Sequence, residues 1–285
     1  MREKVYSIFG DIMYMKKEGK NLILTDVDNL DIALSLDCGQ SFRWEKTDDG
    51  CWNGIAKGKY LKLMQEGSTI TFFDTTEEDY LSLWEEYFDL KRDYAALIES
   101  YDDEHLVKAC SQFPGIRILK QDEWEAICSF IISANNNIPR IKGIIKRLCE
   151  SFGEDTGNGF SFPAPEKLCD LTPDDLAPIR SGFRAKYIID AAKKLTSGEV
   201  DIEKIKTLPF DDAKAELLKI KGVGEKVAQC ALLYGFGRVE AFPRDVWVKR
   251  IVEELYPDGL PECIKGSEGI AQQYLFHWRR FGSLD

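Results

Sequence analysis

The hydrophobic pattern changes period once along the chain. Up to about residue 75, apolar and polar positions alternate in short runs: "NLILTDV", "SFRWEK", "CWNGIAK", "YLKLMQ" and "STITFFD". Alternation of period two puts every second side chain on one face, which marks a half-buried strand. Turn-forming stretches ("TDDG", "KGK", "QEGS") separate the runs, so this region predicts an antiparallel sheet of several strands. One helix is expected inside it, over "DVDNLDIALSLDCGQ", capped by Asp28 or Asn29.

From "TTEEDYLSLWEEYFDL" onward the apolar spacing is helical, with Thr75 or Thr76 as the first cap. Further helices are expected at about 93–101, 103–112, 120–134, 138–152, 184–196, 211–220, 225–235, 245–255 and 267–281. Segment 153–180 is rich in Gly, Pro and Asp and predicts a loop with short helical pieces. The fold class is α+β: an antiparallel β-sheet domain over 1–100, then a mostly α-helical domain over 101–285.

Composition narrows this little. Of 285 residues, 44% are apolar and 31% charged, as in ordinary globular chains. The longest apolar runs fall far short of the roughly 18 residues a membrane span needs. The N-terminal "MREKVYSIFGDIMYMKKEGK" is broken by charges and does not read as a secretory signal. Eight cysteines lie no closer than thirteen residues apart, which argues against a zinc site and against an iron–sulfur loop. They read as thiols of a reducing compartment, and a bacterial cytoplasm is the expectation. The net charge of −11 taken alone disfavours a nucleic-acid partner. Its distribution matters more: acid collects in "TTEEDYLSLWEEYFDL" and "ESYDDEH", base in "PRIKGIIKR", "FRAKY" and "HWRRF".

The richest stretch is "LLKIKGVGEKVAQCALLYGFGRVEAFPRDVWVKRI", residues 217–251. A Gly-Val-Gly turn (Gly222, Val223, Gly224) joins two helical runs. Such a turn aims backbone N–H groups outward at a helix N-terminus, which suits a phosphate. A glycine-capped αα-hairpin that binds nothing explains the turn alone about equally well. Lys226 follows in the first turn of the second helix, where the dipole disfavours a cation and so favours the neutral, nucleophilic amine. Asp245 opens the next helical run, where a plain N-cap is the simple explanation.

Lys226 and Asp245 at this spacing resemble the helix-hairpin-helix plus Gly/Pro-Asp signature of base-excision DNA glycosylases. The segments "LDCGQSFRW", "SFIISANNNIPRIKGIIKRLCESFG", "SGFRAKYI" and "GIAQQYLF" are similar to the 8-oxoguanine DNA glycosylase family, in that family's order and over nearly the whole chain. The resemblance implies a TBP-like N-terminal sheet domain and a bifunctional glycosylase and abasic-site lyase. The implied partner is double-stranded DNA with 8-oxoguanine, opposite cytosine, bound by a monomer with no membrane association. It implies no required cofactor, with a monovalent cation at the hairpin turn left open.

Roles follow residue by residue from the same resemblance. Lys226 would attack C1′, expel the base and form a Schiff base with the sugar. Asp245 would stabilise cationic character at that sugar. Cys230 and Phe276 would sandwich the flipped purine, and Gln272 would read its Watson–Crick edge. The Gly39 carbonyl would distinguish the oxidised base, which carries a hydrogen at N7, from guanine, which carries a lone pair there. Asn135, Arg140 and Arg184 would face the opposite strand and Phe183 would wedge the stack. Core packing competes as an explanation for Cys230 and Phe276, a bulge or turn for Gly39, a helix-ending loop for Asn135, and a solvated face for the arginines. The chain departs from relatives at Lys221, Phe183, Trp247 and Arg279. Two other classes remain open at this point: a glycosylase of the same fold for another damaged base, and a non-catalytic hairpin-type DNA-binding protein. A pyrimidine-damage enzyme usually carries four cysteines near its C-terminus, whereas Cys263 stands alone in the last fifty residues.

Overall fold

The computed structural model describes residues 4–8 and 11–282, with side chains from residue 13 onward. The chain forms two compact units that interleave along the sequence. The first comprises Met1–Gly54, Leu61–Lys120 and Arg244–Asp285, and the second Ile55–Tyr60 and Gln121–Pro243. The expected parts, 1–100 and 101–285, keep all seven strands in the first, whereas these units interleave along the sequence. Among the described residues, no helix is long and apolar enough to cross a membrane.

Most of a seven-stranded sheet, of order β1-β2-β3-β7-β6-β5-β4, lies in the first unit, residues 55–60 excepted. Its strands are β1 Lys4–Ile8, β2 Asp11–Glu18, β3 Asn21–Thr25, β4 Trp44–Lys46, β5 Trp52–Ala56, β6 Lys59–Glu66 and β7 Thr69–Phe73. The quoted alternating runs become β3 to β7, while β1 and β2 extend the edge through a stretch whose charges mask the pattern. In β6 and β7 the alternation is plain: Leu61, Leu63, Ile70 and Phe72 are buried, and Leu63 pairs with Phe72. Against Phe72 pack Tyr80 and Phe88, with ring centroids 5.5 and 6.1 Å away. Trp84 and Tyr87 close on Trp44, whose indole N–H donates to the Tyr87 hydroxyl at 2.8 Å. These aromatics come from one helical run, Glu77–Asp79 through a π-turn Tyr80–Trp84 to Glu85–Tyr87. Thr76, not Thr75, caps it, because Thr75 is buried and its hydroxyl bonds Phe73 O.

The inserted helix is shorter than expected, Ile32–Asp37, and Asp31 caps it rather than Asp28 or Asn29. The reason is long-range: buried Arg117 donates to the carbonyls of Asn29 and Asp28, at 2.9 and 3.3 Å, and holds that backbone out of the helix. Helices Tyr94–Glu99, Glu104–Gln112, Val246–Leu255 and Glu268–Phe281 complete the unit.

In the second unit the central helix is Glu123–Ser133, buried on nearly all sides from Trp124 to Ile132. Asp122 caps it, accepting from Glu125 N at 2.8 Å. Helix Glu225–Tyr234 lies against it, Phe130 stacking on Tyr234 with centroids 5.1 Å apart. Around them stand Ile138–Phe152, Ala185–Thr196 and Phe210–Leu218, close to their expected positions. Ile202–Thr207, capped by Asp201, is an added short helix. Segment 153–180 carries only short pieces, among them Pro165–Leu168 and Ala177–Ile179. All eight cysteines are free thiols, six of them buried.

Candidate active site

The hairpin forms as the glycines require. Gly222 has φ +84°, and a Cβ there would lie 2.4 Å from Tyr187 Cγ, so both backbone and neighbour demand glycine. Gly224 differs: a Cβ on it would meet nothing within 4 Å. It caps helix Glu225–Tyr234 without a side-chain hydrogen bond, so the helix-start N–H groups stand beside open space. Lys221 N donates to Asp190 Oδ2 at 2.8 Å, tying the turn to helix Ala185–Thr196.

Lys226 turns back from solvent. Its Nζ donates to Ser133 Oγ at 3.3 Å and stands 5.2 Å from the centroid of the Phe130 ring. Phe130 and Ser133 lie on the central helix, so the amine is held by the best-buried element of its unit. Cys230, one turn on, is 3% exposed. Neither Ser133 nor Phe130 is legible from local pattern, because the contact spans 93 positions.

The other strand-facing candidates belong to the same unit. Asn135 is exposed in a left-handed conformation, φ +50°, just past the end of the central helix. Arg140 is exposed on helix Ile138–Phe152, which Asn137 caps through Arg140 N at 3.0 Å. Phe183 is 56% exposed, with the Arg184 guanidinium 4.5 Å from its ring centroid. Arg184 is not the solvated arginine the sequence allowed. It is 2% exposed and spends its fork on the carbonyls of Ala134 and Asn135, with Asn135 O at 3.0 Å. Burial, then the Arg140 charge, lowers its pKa from the usual arginine range, and it stays protonated. Arg184 thus fixes the backbone that presents Asn135.

Gly39, Asp245, Gln272 and Phe276 belong to the first unit. Asp245 is an N-cap, as its simple explanation required: Oδ1 accepts from Val248 N at 2.8 Å. The cap fixes the carboxylate. Gln272 and Phe276 sit one turn apart on helix Glu268–Phe281, so they share a face. Gln272 is 4% exposed, and its Oε1 has no hydrogen-bond partner among the described residues. A buried acceptor left unpaired costs stability, which suits a group that waits for a donor. Phe276 is half-buried, under the Arg280 guanidinium at 5.1 Å. Gly39 adopts φ +90° in the turn after helix Ile32–Asp37. Of the departures, Arg279 pairs with Glu254 at 2.6 Å, and Trp247 is 40% exposed with Arg250 5.4 Å from its ring centroid.

Comparison with known proteins covers both parts of the chain. Residues 22–127 match the family model of the 8-oxoguanine DNA glycosylase N-terminal domain, and residues 128–259 that of the HhH-GPD superfamily of base excision DNA repair proteins. The chain is 32% identical to the probable N-glycosylase/DNA lyase of Methanothermobacter thermautotrophicus, over 75% of this chain and 80% of the relative. It is 34% identical to the N-glycosylase/DNA lyase of Saccharomyces cerevisiae, over 79% and 68% respectively. The solved Clostridium acetobutylicum 8-oxoguanine glycosylase/lyase, in complex with double-stranded DNA bearing cytosine opposite 8-oxoG, superposes with a TM-score of 0.86. It is 37% identical, with 95% of this chain and 98% of that one covered. With a hairpin lysine, a capping aspartate and both domain models in register, the chain belongs to the 8-oxoguanine DNA glycosylase family of the HhH-GPD superfamily.

Proposed function

We propose that this protein is a DNA glycosylase with abasic-site lyase activity that removes 8-oxoguanine, opposite cytosine, from duplex DNA. The observation that carries the reading is Lys226: an amine at the start of the hairpin's second helix, drawn against Phe130 and oriented by Ser133. A lysine with only a solvated role would extend into water.

The chemistry is nucleophilic. The neutral Nζ attacks C1′ of the damaged nucleotide as the bond from C1′ to the base breaks, and the base leaves with a proton. The C1′–O4′ bond then breaks, O4′ taking a proton from solvent, and the opened sugar is held as a protonated imine between Nζ and C1′. Loss of a C2′ proton then expels the 3′ phosphate, and water releases the lysine. Asp245, fixed by its cap, supports cationic character at the sugar. Gln272 Oε1 accepts from the purine's Watson–Crick edge, and Cys230 and Phe276 flank the base. The Gly39 carbonyl accepts the N7 hydrogen that only the oxidised base carries. Asn135, Arg140 and Phe183 meet the opposite strand, with Arg184 behind them.

The open side of Gly224 admits a DNA phosphate to the helix-start N–H groups. This lets an acidic chain hold DNA with few lysines. A monovalent cation on the hairpin carbonyls belongs to the same proposal. The donor type fits: Ile220 O accepts Val223 N at 3.1 Å and Lys219 O accepts the Lys194 ammonium, and each carbonyl keeps a second lone pair. No step of the reaction runs through it. The protein acts as a monomer, in the cytoplasm at the nucleoid.

Borohydride reduction of the imine tests the reading. A covalent complex with a duplex holding 8-oxoguanine opposite cytosine is expected, and none with plain guanine. DNA binding without any trapped species would favour the binding module. Trapping with an oxidised pyrimidine alone would favour the other enzyme.

A further inference from the structure

Gly39 is partly exposed, and it takes part in no hydrogen bond among the described residues. Both its neighbours are sealed, Cys38 and Gln40 each being 0% exposed. The Gln40 amide is used from both ends. Its Nε2 donates to Ser35 O and to Arg117 O, each at 2.8 Å, and lies 3.3 Å from Cys38 Sγ. Its Oε1 accepts from Leu119 N at 2.9 Å. On the other side of Gly39, Gln273 Nε2 donates to Cys38 O at 3.4 Å. The Cys38 thiol, pushed up to about 12 by burial, stays neutral and adds no charge to the turn.

The partners are themselves anchored. Arg117 N donates to Ser35 Oγ at 3.1 Å, and Ser35 Oγ to Gly115 O at 3.2 Å. Segment 115–119 therefore runs beside the turn as a fixed rail. The peptide before Gly39 is held through the Cys38 carbonyl, and the peptide after it through the immobile Gln40. Between them lies the residue with the most rotational freedom. Discrimination by the direction of one hydrogen bond works only if the acceptor cannot swing away. A fixed dipole also needs no reorganisation when the base arrives.

We propose that Gln40, assisted by Gln273, is the positioning residue for damage recognition: it holds the Gly39 carbonyl toward the N7 edge of the flipped base. This rests on the reading of Gly39 given above.

The test compares two activities in the same intact protein. One is single-turnover excision of 8-oxoguanine opposite cytosine, which requires base recognition. The other is borohydride trapping on the same duplex carrying an abasic site, which requires the lysine but no base. In Gln40→Leu, excision is expected to fall about 10- to 100-fold while abasic trapping stays within about twofold. Gln273→Met, which keeps volume and loses the bond to Cys38 O, is expected to shift the same ratio in the same direction by less. An unchanged ratio in both variants, or parallel loss of both activities in Gln40→Leu with no change of ratio in Gln273→Met, overturns the proposal. If the wild-type protein leaves 8-oxoguanine in place, the functional reading falls and takes this one with it.

Discussion

The Lys226 ammonium donates to the Ser133 hydroxyl at 3.3 Å, joining the hairpin helix to the end of the central helix. Lys226→Gln keeps a donor and removes the nucleophile. It is expected to bind damaged duplex within about threefold of wild type by fluorescence anisotropy, yet to form no borohydride adduct. Ser133→Ala leaves the amine in place but unoriented. It is expected to slow single-turnover excision by about tenfold, with DNA affinity unchanged. A Ser133→Ala protein as fast as wild type would sever this contact from catalysis.

The two hairpin glycines should fail differently. Gly222→Ala forces a Cβ into Tyr187 and strains a left-handed φ. A loss of about 3 kcal/mol in urea denaturation is expected, from backbone strain and overpacking together. Gly224→Ala meets nothing and has φ −98°, so folding stability should hold within about 0.5 kcal/mol. Its methyl would instead crowd an arriving phosphate, and DNA affinity should drop by about tenfold or more at fixed salt. Equal stability losses in the two variants would contradict this division.

Gln272 sets stability against activity. Its Oε1 is buried and unpartnered among the described residues, so Gln272→Leu removes a desolvated acceptor. Thermal stability of the free protein should be unchanged or raised by about 1 kcal/mol, while excision falls about 10- to 100-fold. Calorimetry and single-turnover kinetics on one preparation measure both.

How much of this was legible in the residues depends on the range of the forces involved. Helix Ile138–Phe152 was readable from Asn137, Pro139 and Gly153, because caps and breakers act over one turn. Asp245 was readable as a cap for the same reason. The start of the inserted helix was misplaced because Arg117, 88 residues from Asn29, holds that carbonyl. Arg184 reads from the sequence as facing the opposite strand, with a solvated face as the alternative, yet its partners Ala134 and Asn135 lie about fifty positions back. The β1–β2 pair was obscured because Lys16, Lys17 and Glu18 follow one another inside β2 and break its alternation. Gly39 could be named from its motif, whereas the Gln40 contacts that immobilise it reach residues near 117.

A buried histidine predicts the response to acid. His277 is 6% exposed between the rings of Phe113 and Phe281, at 4.6 and 4.8 Å, and its Nδ1 has no partner among the described residues. Burial, then the charge of Arg280, lowers its pKa from 6.5, and Asp31 and Asp37 oppose this. The folded state therefore prefers the neutral ring. The stability it contributes is complete above the unfolded value of 6.5 and is lost as pH falls through the lowered one. Urea midpoints at pH 7.5 and at pH 5.5 should differ more in wild type than in His277→Leu. An equal difference would assign the acid sensitivity elsewhere.

The interleaving of the two units bears on synthesis. Helices Val246–Leu255 and Glu268–Phe281 belong with a sheet whose strands leave the ribosome well before them. That sheet's unit waits for residues 244–285, while the intervening helical unit has all its parts earlier. A premature stop near residue 240 would thus yield a chain able to shape its hairpin yet lacking a finished first unit, a ready target for cellular proteases.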